Sequence, residues 1–320
     1  YAGMARQILA DCKQPVILVD WSDLKADRSV QLIRASLALH GRSLSLLEQV
    51  YGAKQAATPR THTRFLRQLK AIVGERACPI IVTDAGFRAP WFAAVEKLGW
   101  HWLGRIRGRD LLRPADHPQA RWASCRSVWA QATTRPSDLG SYECERSRPH
   151  VCRLVLLKHE PKGRHKHTVR GTRARSKHSR KNARSQTEPW LLAASCSLRQ
   201  LSAAAIAARY TQRMQIEPSF RDTKNARWGL GLERSGTRTP ERLAVLVLIA
   251  TLAQWVLYLV GQWAYDGQQQ RHWQLTNRRS RPQLSVHQLG WLIVTVLDPP
   301  TEPLLQIISR WSNPNAALEV

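Results

Sequence analysis

Three acidic residues sit where metal-dependent phosphate chemistry could use them. The run PVILVD places Asp20 at its end, and CPIIVTD does the same for Asp84. Such short apolar runs read as buried strands. Two carboxylates at neighbouring strand ends, in a crevice, form a candidate metal site. The third acid, Glu217, lies in the pattern Tyr210-x2-Arg213-x3-Glu217-x6-Lys224. On a continuous helix these spacings bring all four residues to one face. Glu217 would then hold a metal, while Arg213, Lys224 and Tyr210 hold phosphate oxygens. By spacing alone, an exposed helix with an ordinary Arg213–Glu217 pair one turn apart reads equally well. Pro218 interrupts any such helix. Either the helix kinks there, or a new one begins with Pro218 in its first turn.

Other charged residues are weighed against these. Asp23, Asp27 and Asp222 are read as non-catalytic, with Asp23 a candidate cap for the next element. Arg105 and Arg107 alternate out of one strand onto the same face, where they can meet DNA or the acids. Arg221 is a further phosphate candidate. The segment His165-Lys166-His167 sits among cations that repel a metal, so it reads as a solvated loop.

The elements that must position the acids follow from pattern. Arg34 to Leu39 and Ser43 to Val50 read as strands joined by a short turn at His40-Gly41-Arg42, a hairpin. Thr61 to Gly74 has helical periodicity, with Phe65, Leu66, Leu69, Ile72 and Val73 on one side. Ala89 to Leu98 is a helix with Pro90 in its first turn, and His101 to Ile106 a strand. The order strand, strand, strand, helix, strand, helix, strand predicts a mixed sheet with helices packed on it. It matches the ribonuclease-H-like order, in which the first and fourth strands lie side by side. Residues 107–187 read as an inserted, mainly β subdomain ending in a basic loop, Lys162 to Arg184, which reads as a solvated, disordered segment and, compatibly with that, as one that orders on phosphate. Trp190 to Ala194 resumes as a strand, Leu201 to Lys224 is helical, and Gln283 to Leu297 is amphipathic. Leu243 to Val260 is long enough to span a bilayer, but reads better as a helix apolar all round and buried.

Composition narrows the partner. Among 320 residues there are 49 Lys and Arg against 23 Asp and Glu, a formal charge of +26, which points to nucleic acid. The six Cys show no metal-ligand spacing and read as free thiols in a reducing compartment. No signal peptide opens the chain, which begins at Tyr1.

The segment RYTQRMQIEPSFRDTKNARWGLGLERS around Glu217 resembles the YREK signature region of the insertion-sequence-four family of bacterial DDE transposases. ILVDWSDL around Asp20 and IIVTDAGFRAPWFAAVEKLGWHWLGRIRG around Asp84 resemble its first two catalytic-Asp segments, so the resemblance covers nearly the whole chain. It implies an α/β, ribonuclease-H-like mixed sheet with helices on both faces, a mainly β insertion and C-terminal helices. On this reading residues 1–106 and 188–240 form the core, 107–187 the insertion and 241–320 a helical region. Asp20, Asp84 and Glu217 would bind two Mg²⁺, with Mn²⁺ as a substitute. The activity implied is cut-and-paste transposition of double-stranded DNA: nicking, hairpin formation and opening, then strand transfer. Trp190 matches the place of a Trp that stacks on a flipped base. A homodimer on DNA, a cytoplasmic, nucleoid-associated location and no membrane are also implied. The chain is expected to lack an N-terminal end-recognition region. The competing expectation is an inactive remnant that only binds DNA.

Overall fold

The computed structural model describes residues 1–9, 12–39, 41–108, 110–160, 171–173, 175–177, 179–180, 183, 187–227, 229–273 and 284–296. Most of the basic loop from 162 to 184, with His165 and His167, lies outside them. The chain divides into two compact units, residues 1–81 with 212–320, and residues 82–211.

In the first unit, α1 (Ala2–Leu9) precedes an antiparallel meander of β1 (Val16–Asp23), β2 (Val30–Ala38) and β3 (Ser43–Gly52). The expected hairpin is present, with Gly41 in its turn at a φ of +79°. Cys78 N–H donates to Lys13 O at 2.8 Å and Ile80 N–H to Pro15 O at 2.9 Å. Both partners advance by two residues in the same direction, so the chain entering β4 (Ile80–Thr83) runs parallel to β1. The sheet is therefore mixed, with the first and fourth strands adjacent as expected, and the class is α/β. One boundary is corrected. β1 does not end on Asp20 but runs on to Asp23, because Trp21, Ser22 and Asp23 keep their register with Ile33, Leu32 and Gln31.

Alternation then decides what each face carries. Asp20 lies opposite Arg34, and Arg34 opposite Glu48, forming a row of charged residues across one face. Trp21 points to the other face, where α2 (Pro59–Val73) packs and Trp21 Nε1–H donates to His62 Nε2 at 3.2 Å. α2 starts cleanly because Thr58 caps it, accepting from Thr61 N–H, with Pro59 in the first turn.

The helical stretch over 201–224 is broken, and of the two expected outcomes the structure has the second, a new helix with Pro218 in its first turn. α4 (Ala203–Thr211) closes the second unit. A 3₁₀ segment, Gln212–Gln215, follows, and α5 (Ile216–Lys224) then begins. Proline supplies the reason. Interior Pro would lose a hydrogen bond and clash with the preceding turn, whereas in the first turn of α5 the missing N–H is not needed. α5 seats on the hairpin through polar bonds as well as Ile216 and Phe220. Ser219 Oγ accepts from Ser43 N–H and donates to Ser43 O, Asp222 pairs with Arg42, and Thr223 accepts from Arg34.

α6 (Pro240–Asp266) covers the Glu48 end of the same face, with Thr251 donating to Glu48, Gln254 to Thr223 and Trp255 to Ser45 O. It is the one helix among the described residues long and apolar enough to cross a membrane, and 44% of its most apolar stretch is buried. The expectation of burial all round is thus only half met. Val245, Ile249, Leu252 and Val256 are exposed along one side. α7 (Val286–Val296) crosses α6 at two glycines. A Cβ on Gly261 would meet Val286 O at 1.8 Å, and one on Gly290 would meet Leu257 O at 1.8 Å.

In the second unit β5 (His101–Ile106), β10 (Trp190–Ala194), β9 (His150–Leu157) and β8 (Ser137–Cys144) pair antiparallel in that order. β6 (Leu111–Pro114) and the two-residue β7 (Ala123–Ser124) follow beside β8. The strands of the 107–187 stretch thus extend the sheet beyond β5 and β10. α3 (Ala89–Glu96), with Pro90 in its first turn, stacks Phe92 on Trp102 at 3.9 Å between centroids. All six Cys are free, as expected.

Candidate active site

In the first unit, Asp20 is held from two sides. Its Oδ1 accepts from the Trp21 N–H at 2.8 Å, and its Oδ2 accepts from Arg213 Nη1 at 3.0 Å. The other Nη of Arg213 donates to Glu217 Oε1 at 2.6 Å. One guanidinium therefore brings a strand carboxylate and a helix carboxylate together. Charge-assisted bonds to a planar fork fix angle as well as distance. This is more than the ordinary one-turn pair that spacing alone allowed.

The rest of α5 lies along the continuation of β1. Lys224 Nζ donates to Ser22 Oγ at 2.8 Å and to Asp23 O at 3.2 Å. Burial pushes the Lys224 ammonium below its usual range, opposed by the nearby Asp23 carboxylate. Arg213, Glu217 and Lys224 thus all reach β1, although the helix break removes the single face on which they were expected. Arg213 enters from the 3₁₀ turn, Glu217 from the first turn of α5 and Lys224 from its last. Asp23 does not cap a helix. It ends β1, where it pairs with Arg28 and accepts from Gln31. Asp222 faces Arg42, away from Glu217, in keeping with a structural role.

The remaining expected residues belong to the second unit. Asp84 follows β4 directly and accepts the Gly86 N–H at 2.8 Å. Trp190 opens β10 and is half-buried, with the buried Tyr210 ring edge-on at 5.0 Å and His159 edge-on at 4.2 Å. Tyr210, expected on phosphate, packs here against an aromatic side chain. Arg105 and Arg107 do share a direction, and what they share is Glu188, at 3.7 and 2.6 Å.

Sequence reading passed over several residues that matter here. Ser22 holds Lys224, and Glu188 holds two arginines beside Trp190. Arg34 and Glu48, both fully buried, pair at 2.6 Å behind the acid-bearing helix. The signal for the last pair was present: a single charge within VQLIRASLA and another within SLSLLEQV, at positions whose neighbours are core.

Asp20 and Glu217 supply hard oxygen donors of the kind Mg²⁺ takes, from separate elements and on the two Nη atoms of one guanidinium. Among the described residues, no group of three or more His, Cys, Asp or Glu is gathered as a metal cluster.

A family model described as a transposase DDE domain matches residues 11–256. Nothing among curated proteins matches the chain. The cryo-EM structure of the piggyBac transposase synaptic complex with hairpin DNA is similar at a TM-score of 0.44 and 11% identity, covering 96% of this chain. The chain spans 58% of the length of that protein.

Proposed function

Since the chain belongs to the transposase DDE-domain family, we propose that it carries out Mg²⁺-dependent cut-and-paste transposition of double-stranded DNA, as the insertion-sequence-four resemblance implies. Asp20, Asp84 and Glu217 are the proposed ligands of two ions. When bound, such ions polarise a phosphoryl oxygen and favour the attacking hydroxyl. The chain's own cations do the rest. Arg213 lies between two of the carboxylates and can hold a phosphate oxygen beside them. Lys224 holds the strand end and adds a second positive charge. Trp190 offers a ring to a flipped base, and Arg105 and Arg107 flank it through Glu188.

One observation carries this reading above the rest: Arg213 ties Asp20 to Glu217. Arg213 and Asp20 lie 193 positions apart in sequence, and the same guanidinium carries the link on to Glu217. Nicking, hairpin formation and opening, and strand transfer are each phosphoryl transfers to water or a 3′-OH, so a single such site serves them all. Two copies on DNA are part of the proposal. The exposed apolar side of α6 is a surface suited to pairing them, and the cytoplasmic nucleoid is where they would act.

The test is cleavage of duplex DNA carrying the element's own ends in Mg²⁺, comparing the unaltered protein with Glu217→Ala. Cleavage lost in the variant supports the assignment, and equal cleavage rejects it. DNA binding without cleavage by either protein would instead favour the remnant.

A further inference from the structure

The outer side of α2 carries three arginines, Arg60, Arg64 and Arg67, on successive turns. All three are exposed, and among the described residues none forms an ion pair. The helix contains no acid at all, although it holds Lys70 as well. Its buried side, Thr61, Phe65, Leu66 and Leu69, faces the opposite way, so packing does not account for the arginines. They line a shallow hollow of about 710 Å³ with Thr63 and Gln68.

Electrostatics disfavours this arrangement in isolation. Like charges one turn apart repel. Arg60 stands in the first turn, where the helix dipole favours acids and opposes cations. The acids are too few to pair every cation, 23 against 49, and what sets α2 apart is that three arginines without ion pairs among the described residues share one face of a helix with no acid. A local rule broken without an internal compensation points to an external one.

We infer that this arginine row is a second binding site for the phosphodiester backbone of duplex DNA, separate from the phosphate at the reacting acids. The inference rests on the proposed action on DNA. From Arg60 to Arg67 the helix rises about 10.5 Å. One strand of a duplex presents a phosphate about every 3.4 Å of its helix axis, so a row of that length lies alongside about three phosphate spacings, enough for one phosphate to each arginine. Separateness follows from the sheet. Trp21 directs one face toward α2, while its neighbour Asp20 directs the other toward Arg213. A backbone lying on α2 is thus a different stretch from the one at Asp20 and Glu217. Contacts of this kind position DNA and carry no sequence information.

The experiment measures binding of two labelled duplexes, one bearing the element's ends and one unrelated, across 50 to 200 mM salt. It compares the unaltered protein with the triple variant Arg60→Gln, Arg64→Gln, Arg67→Gln. Three phosphate contacts contribute a log–log salt slope of about 2.7, or about forty-fold in affinity over that range. The variant should lose that increment equally on both duplexes. Its thermal midpoint without DNA should hold or rise, because the repulsion is relieved. An unchanged slope overturns the inference, and so does a loss confined to the element's ends. Failure of the unaltered protein to bind either duplex would sink the DNA-acting reading itself, and is distinguishable from both.

Discussion

Replacing Arg34 by methionine is expected to cost about 3–5 kcal/mol of stability, the range for breaking a buried ion pair by removing one partner. The structure gives the reason for placing it there. Arg34 Nε meets Glu48 Oε1 at 2.6 Å with neither side chain exposed. Nη2 donates to Thr223 at 2.8 Å, and the guanidinium lies 4.5 Å from the Phe220 ring centroid. Removing Arg34 leaves a buried carboxylate without its cation, and removing Glu48 does the reverse, so Glu48→Leu alone should cost a similar amount. The double variant should cost only about 1–3 kcal/mol, mainly for the Tyr1 and Thr251 hydroxyls that lose Glu48 as acceptor. It also removes Arg34 Nη1, which is buried without a hydrogen-bond partner. Denaturant midpoints for all four proteins complete a double-mutant cycle. If the two single losses simply add, the pair is not coupled and the reasoning fails. A second readout concerns the site. Thr223 and Phe220 belong to the helix that bears Glu217, so even a stable double variant should bind Mn²⁺ more weakly. Unchanged Mn²⁺ affinity would confine Arg34 to packing.

Burial pushes His62 down to about 4, so it is neutral near pH 7 and accepts from Trp21. Its folded pKa lies below the unfolded 6.5, so stability should fall as pH drops from about 6.5 to 4. His62→Gln should flatten that decline in a pH series of thermal melts, and an equally steep decline in the variant would reject it. Gly261→Ala sets a methyl against the Val286 carbonyl and should destabilise by about 3 kcal/mol or more, read as a lowered midpoint. No loss would mean that α6 and α7 part easily. Trp190→Ala should weaken capture of an unpaired base by about 1–3 kcal/mol, read from 2-aminopurine fluorescence in end DNA. Unchanged fluorescence would leave Trp190 as packing for Tyr210 and His159.

Much of the frame was legible because its strands are short apolar runs bounded by turns, and β1 to β5 with α2 and α3 all stand near their expected places. The end of β1 was not, because Trp21, Ser22 and Asp23 look like a loop by composition, and their pairing with Ile33, Leu32 and Gln31 is a long-range fact. Pro218 did announce the break that separates α4 from α5. The two sides of α6 could not be told apart, since a helix apolar all round gives no phase to read. β8 was hidden for a related reason: SDLGSYEC is mostly polar, and its register shifts between Asp138 and Gly140. Arg213 reads as a phosphate ligand by type, and its bond to Asp20 joins residues 193 positions apart, which no local pattern encodes.

The seat of α5 sets how the proposed activity would fail. Apolar contacts tolerate sliding, but the hydroxyl and charge bonds from Ser219, Asp222 and Thr223 to the hairpin hold at one rotation and one height. A substitution there need not unfold anything. It can leave a well-folded protein whose Glu217 is turned a few degrees from Asp20. Inactivating changes in such a protein would then be concentrated among serines and threonines that resemble ordinary filler, and a melting curve would miss them.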